Sequence, residues 1–424
     1  MKAGFGKEKI TPPLGMPMEG LGQEGGCRSV HDELWCRALA LEQSGKRLLI
    51  VALDVLFFER PVVDRFKAAL FREFRIAPDA VLLNTSHTHA GPRVSSWAYS
   101  DGPEPRYLDL VEQSILSAAG TALRRMSPVQ VQTGAARTDL PVSRRKAGPD
   151  GVARWAPCRT AEVCRHVPFC VFRKRNGDVL SVAVSVSCHP SMIYSLDISA
   201  DYPGVVVRRL NRFFGTDGAI FLQGAGGDTK PRQIAVAEER WRQGTWSDVN
   251  AAGNEVAEAV MEAARASLAG TDDEIACSLL TIKWPLEKPP GRRFFEKLAS
   301  DDAAPLGRKR WAADMLRSLD ISGSVPTHAD IQVHGVQIGS GLRMIGVEAE
   351  LVGELGNLIL RKYPRGLTFA LGYTNGTRIY LPSDRMIPQG GYEVDSYWEY
   401  HWPAPLRPCT GRLLASALRR LDLR

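Results

Sequence analysis

The sequence predicts an α/β fold with mixed sheets and helices packed on them, on three observations. Short apolar runs that end near Gly, Asp, Asn or His read as buried strands. Longer stretches between them repeat apolar residues at three and four, the period of amphipathic helices. Two later apolar runs are split by a Gly-Ser-Gly turn, the pattern of an antiparallel hairpin. In chain order the strands are Leu48 to Val55, Val81 to Leu83, Leu180 to Val186 and Ala219 to Leu222. Glu59 to Phe74 and Tyr107 to Met126 are the helices of the first half, and Val205 to Phe214 and Asp248 to Leu268 flank the fourth strand. The hairpin pairs Ala329 to Ile338 with Leu342 to Ala349 around Gly339, Ser340 and Gly341.

With 424 residues, 44% hydrophobic and 24% charged, the chain sits at the globular average and has no repeat or low-complexity tract. No Pro/Ser/Gly linker divides it, so one catalytic unit over 1–424 is the expected organisation. Residues 289–319, opening in charge, Gly and Pro, are expected as a mobile helical insertion over a site. The net charge of +7 is scattered among acidic residues without an RNA-recognition or zinc-finger signature, which argues against a nucleic-acid partner. No segment approaches the roughly 20 apolar residues of a membrane span, and the amino terminus lacks the apolar core of a signal peptide. A soluble cytoplasmic protein is the expectation. The eight cysteines, with no CxxC pair, read as separate buried thiols. Nothing in the sequence fixes an oligomeric state.

Chemistry concentrates where strands end. NTSHTHAGP, Asn84 to Pro92, closes an apolar run with two histidines one residue apart. In extended chain such neighbours point the same way, so His87 and His89 are expected to face one pocket, one for a metal and the other for protons. SCHPSMIY places His189 just past a second strand. Strand carboxyl ends form the ligand crevice of α/β sheets, so these histidines converge despite their separation. FLQGAGGDTKPR, Phe221 to Arg232, adds a glycine-rich turn after a further strand, where backbone can approach a ligand closely. Asp54, Asp201, His31 and Asp32 fit either a role behind the ligands or the capping of turns and helices.

These segments, with AGFGKEKITPPLGMPMEGLG at the start, VHDELWCRALALE, SADYPG and YLPSDRMIPQGGYE near the end, resemble the neutral/alkaline non-lysosomal ceramidases and their bacterial relatives, in that family's order and over nearly the whole chain. The resemblance stops short of the family's immunoglobulin-like carboxy-terminal domain. It implies a ceramidase-like catalytic domain and one zinc per chain, held by His87, His189, Glu350 and Tyr380. Glu350 is preferred to Glu348, although the Pro-Gly that precedes the family glutamate is not reproduced. His89, beside the metal, is the candidate general acid or base; the resemblance further implies Tyr392 as a second active-site tyrosine, a donor to the developing oxyanion, and Arg144 as an orienter of substrate, with Arg145 an equal fit to the arginine position.

One departure bears on substrate. Where the family has a serine in the glycine-rich turn, this chain has Lys230, followed by Pro231 and Arg232. Lysine cannot replace serine as an acyl acceptor without ending in a stable amide, which leaves metal-activated water as the nucleophile. Lys230, Arg232 and Asp228 become candidate substrate contacts, the two cations suited to a carboxylate or phosphate. The expected activity is hydrolysis of a linear N-acyl amide, small and anionic, and not of ceramide itself. Acyl transfer or cyclisation with an amine nucleophile, and a non-catalytic binding protein on the same fold, are the alternatives. His/Glu/Tyr ligation also suits manganese or iron.

Overall fold

The computed structural model describes residues 1–20, 25–97, 101–236, 240–272, 274–421 and 423. Leu21 and Gly22, at the end of the family-like opening segment, lie outside the described residues.

Two β-sheets lie face to face, each covered on its outer side by helices. The larger sheet has nine strands, eight of which run in the spatial order 219–223, 179–186, 166–174, 127–137, 2–9, 35–43, 46–53 and 81–85, with 269–270 pairing beside 127–137. The smaller is ordered 275–285, 328–338, 342–347, 367–371. Both sheets are mixed. Parallel pairs join 46–53 to 81–85, 179–186 to 219–223 and 342–347 to 367–371, and most of the remaining pairs are antiparallel. The expected hairpin forms as His328–Ile338 against Leu342–Val347.

The layers follow from which strand faces are apolar. Lys46–Leu53 carries the run LLIVAL and is buried on both sides. Leu48, Ile50 and Ala52 face the smaller sheet, where Val336, Met344 and Phe369 meet them. Leu49, Val51 and Leu53 face the helices, against Val63, Phe66 and Leu70 of Arg60–Phe74 and Ile115 of Pro105–Arg124. Asp201–Phe214 and Trp246–Ala266 cover the other half of the same outer face through Val206, Leu210, Val256 and Val260. Gly353–Lys362 and Thr410–Arg420 cover the smaller sheet. Strand Lys2–Lys9 sits so close to helix Pro105–Arg124 that a Cβ on Gly4 would stand 1.9 Å from the Ala122 carbonyl oxygen. Only glycine allows that approach.

Residues 289–319 fall on two helices, Arg292–Ser300 and Leu306–Ser322, the second ending three residues past that range, around a small core of Phe295, Trp311 and Met315. This helical hairpin holds the segment 396–402. Trp311 Nε1 donates to the Trp402 carbonyl at 2.9 Å, and His401 Nδ1 lies 2.9 Å from Asp314 Oδ2. All eight cysteines are free thiols, five of them buried. Among the described residues no helix is long and apolar enough to cross a membrane.

Candidate metal centre

Strand ends from both sheets meet at one point, and Asn84 ties them together. Its side-chain amide donates to the carbonyls of Gln223 and Gly372, and its Oδ1 accepts from Gln223 N at 2.7 Å. This links the end of 81–85 to the ends of 219–223 and 367–371. His87 follows two residues after Thr85, and His189 three after Val186.

His87 and His89 do face one pocket, but by a different geometry from extended chain. The strand stops at Thr85, and His87 sits at φ 64°, in the left-handed region. That conformation costs a non-glycine residue about 1–2 kcal/mol. Its amide donates to the Val55 carbonyl and its Nδ1 lies 3.1 Å from the Leu56 carbonyl, which fix the turn and the ring together.

All three imidazoles are oriented by backbone. His87 Nδ1 faces Leu56 O, His89 Nδ1 faces Gly20 O at 2.8 Å, and His189 Nδ1 faces Gly226 O at 2.7 Å. A carbonyl oxygen only accepts, so each Nδ1 carries a proton, and in the neutral ring the Nε2 presents a lone pair. These lone pairs converge, with His87 Nε2 3.1 Å from His189 Nε2 and 3.2 Å from His89 Nε2. Glu350 Oε2 closes the group, 3.4 Å from His87 Nε2 and 3.2 Å from His189 Nε2. Burial, the Arg144 guanidinium and His87 push the His189 pKa down to about 4. Burial and its two histidine neighbours hold His89 well below the usual imidazole range. Neutral nitrogens facing one another without a shared proton repel, and a carboxylate beside them deepens the negative potential. This donor set fits a divalent cation, and borderline nitrogen ligands with one carboxylate suit zinc.

Glu350 is brought there by its strand. Glu350–Leu351 pairs in parallel with Tyr380–Leu381, Glu350 directly opposite Tyr380. Tyr380 Oη accepts from Arg144 Nη2 at 3.0 Å. Burial pushes the Tyr380 phenol well above its ordinary range, and Arg144 opposes that shift. Two further tyrosines, absent from the sequence expectation, donate to the same carboxylate: Tyr373 to Oε2 at 3.2 Å and Tyr400 to Oε1 at 2.5 Å. Glu348 is turned away, ion-paired with Arg60 and accepting from Gln332 N at 2.9 Å.

The two candidate arginines separate by the alternation of a strand. Pro141–Ala147 runs between Ala153–Cys158 and Thr229–Pro231 in a small three-stranded sheet. Arg144 lines the cavity that contains His87 and Glu350, and Arg145 lines a cleft on the other side. One buried carboxylate, Glu393, accepts from Arg144 Nε at 2.7 Å and from Arg145 Nη1 at 2.6 Å. Tyr392 also lines the cavity and donates to Glu399 at 2.8 Å.

Of the three candidate substrate contacts in the glycine-rich turn, only Lys230 reaches the cavity. Asp228 accepts from Gly353 N at 2.8 Å, capping the helix after Glu350, and faces the rear cleft. Arg232 is exposed and pairs with Glu255 at 2.9 Å. Asp54 forms a buried ion pair with Arg37, while Asp201 accepts from Met192 N and Tyr202 N and Asp32 from Ala200 N, as turn and capping residues do. His31 stacks on Trp246. The cavity measures about 80 Å³, and its remaining walls include Phe57, Trp97, Trp155 and Ser191.

No protein-family model matches the sequence, and no curated protein matches it by sequence. Solved structures do. Neutral ceramidase from Pseudomonas aeruginosa superposes on 100% of this chain and 73% of its own, with a TM-score of 0.77 at 16% identity. A ceramidase complexed with C2 superposes on 100% of this chain and 76% of its own, with a TM-score of 0.75 at 16% identity. From its first strand to its last helix the chain therefore has the mixed α/β fold of neutral ceramidase, the fold its sequence motifs imply.

Proposed function

We propose that the chain is a zinc-dependent hydrolase of a linear, N-acyl type amide, with one ion per chain held by His87, His189, Glu350 and Tyr380. The observation that carries this reading is the convergence of three Nε2 lone pairs and a carboxylate at a cavity wall. The ceramidases that share the fold act, by their name, on an amide, which supports the reaction class. A zinc ion bound there supplies a Lewis acid that polarises the amide carbonyl and acidifies water.

The chain's own residues supply the rest. His89, neutral and facing the cavity, takes a proton from the attacking water at Nε2 and delivers it to the leaving nitrogen. The carbon–nitrogen bond breaks, and water's oxygen and hydrogens are shared between the acid and the amine. Arg144 holds Tyr380 by its Nη2, and Tyr392 places a phenol on the cavity where oxyanion charge develops. Tyr373 and Tyr400 orient Glu350 as hydrogen-bonding partners behind a metal ligand do.

Elemental mass spectrometry of protein purified without added metal tests the site. About one zinc per chain in wild type is expected, with most of it lost in His87→Ala and His189→Ala. Wild type free of metal, or both variants retaining it, would overturn the ligand assignment. Adding a competing amine to the assay separates hydrolysis from acyl transfer by product.

A further inference from the structure

Lys230, on which Asp201 acts only through space, is a cation at this cavity that no carboxylate of the described residues contacts directly. It lies on the three-residue strand Thr229–Pro231, opposite Val142, and its side chain is partly buried against the cavity. Its Nζ stands 5.8 Å from the centre of the Trp155 ring and 5.7 Å from that of Trp241. Among the described residues no carboxylate pairs with it. Arg144, the other cation lining the cavity, has a direct carboxylate partner in Glu393, which it shares with Arg145. The neighbouring Asp201 has its carboxylate engaged by the amides of Met192 and Tyr202, and burial holds the nearby Cys188 thiol neutral by raising its pKa.

An ammonium taken out of water without a counter-ion is costly, and aromatic faces return only part of that cost, roughly 0.5–2 kcal/mol each. Burial and the Arg144 guanidinium lower the Lys230 pKa to about 8, so the group keeps its charge at neutral pH. A cation held apolar-side by two indoles, with its face to a cavity that also presents the histidine group, is arranged to receive a charge from outside the protein.

We propose that the substrate is a small acidic amide whose carboxylate is bound by Lys230, and that this contact selects acidic amides over uncharged lipid amides. The inference rests on the amide-hydrolase reading above. The limited room beside the histidines supports it, because the cavity is well below the roughly 300–1,000 Å³ of sites that enclose larger ligands.

The test uses the zinc-loaded protein and matched pairs of amides. One pair is an N-acetyl amino acid and its carboxamide, with the charge on the amine side. The other is the monoamide of a short dicarboxylic acid and its methyl ester, with the charge on the acyl side. Within one pair the acidic member is expected to win by about 10- to 100-fold in kcat/KM, mostly through KM, and the winning pair assigns the side. In Lys230→Met that preference collapses, and in Lys230→Arg it partly survives. In wild type the KM advantage fades as pH rises through about 8, because the lysine loses its proton. Equal use of acidic and neutral members, or a preference that survives in Lys230→Met, would overturn the inference while leaving the hydrolase reading intact. If no amide is cleaved, that reading fails instead. Quenching of tryptophan fluorescence by acetate or succinate then decides the anion site, present in wild type and absent in Lys230→Met if the inference holds, and alike in both if it does not.

Discussion

Glu348 and Glu350 stand two residues apart, both fully buried, in opposite surroundings. Glu348 meets a cation the protein provides, the Arg60 guanidinium, which also donates to the Asp330 carbonyl. Glu350 meets neutral imidazoles and two phenols, none of which cancels its charge. Burial raises the pKa of the Glu348 carboxyl, and that effect prevails over the Arg60 guanidinium. A buried carboxylate matched from within secures the fold. One left unmatched among lone pairs marks a place for a cation from solution.

Three substitutions break or sharpen that contrast. Glu350→Gln is expected to have the largest effect, eliminating stoichiometric zinc and measurable turnover while the melting temperature of the metal-free protein stays within a few degrees of wild type. Elemental analysis and calorimetry of the same preparation check both halves. Glu348→Gln should do the reverse, retaining about one zinc per chain and losing roughly 3 kcal/mol of stability in denaturant titration. The loss falls at the low end for a broken buried pair because Arg60 keeps 18% of its side chain exposed. Tyr400→Phe is the mildest, an expected 10- to 100-fold loss of zinc affinity with the fold intact, read by competition against a chelator. If Glu348→Gln lost the metal and Glu350→Gln kept it, the assignment of the two carboxylates would have to be exchanged.

The sequence makes legible what strand ends make regular. The apolar runs before Asn84 and Ser187 locate the buried strands to within about two residues, and the histidines after them follow. Lys230 stands out because it occupies the place of a serine in the family the sequence resembles. Tyr373 and Tyr400 carry no such mark. Both lie outside strand and α-helix, Tyr373 at φ 51° and Tyr400 just before His401 at φ 61°. Spacing rules for strands or helices do not reach such positions. Asp228 misleads for a related reason: in a turn beside a ligand crevice, a carboxylate that caps a helix from behind looks the same in sequence as one that faces a substrate. The four-layer arrangement was hidden as well, since a strand apolar on both faces does not say which neighbour is helix and which is sheet.

The parallel pairing of Glu350 with Tyr380 also sets a time. His87, His89 and His189 belong to the first half of the chain, but the carboxylate and phenol that complete their surroundings are synthesised long afterwards. At about 5–20 residues per second, roughly 10–40 s separate the emergence of His189 from that of Tyr380. During that interval the larger sheet has its histidines but not the strand that closes the group. Under the proposed ligand set, the complete donor shell would form only once the last quarter of the chain has docked, so zinc binding would be completed late in folding.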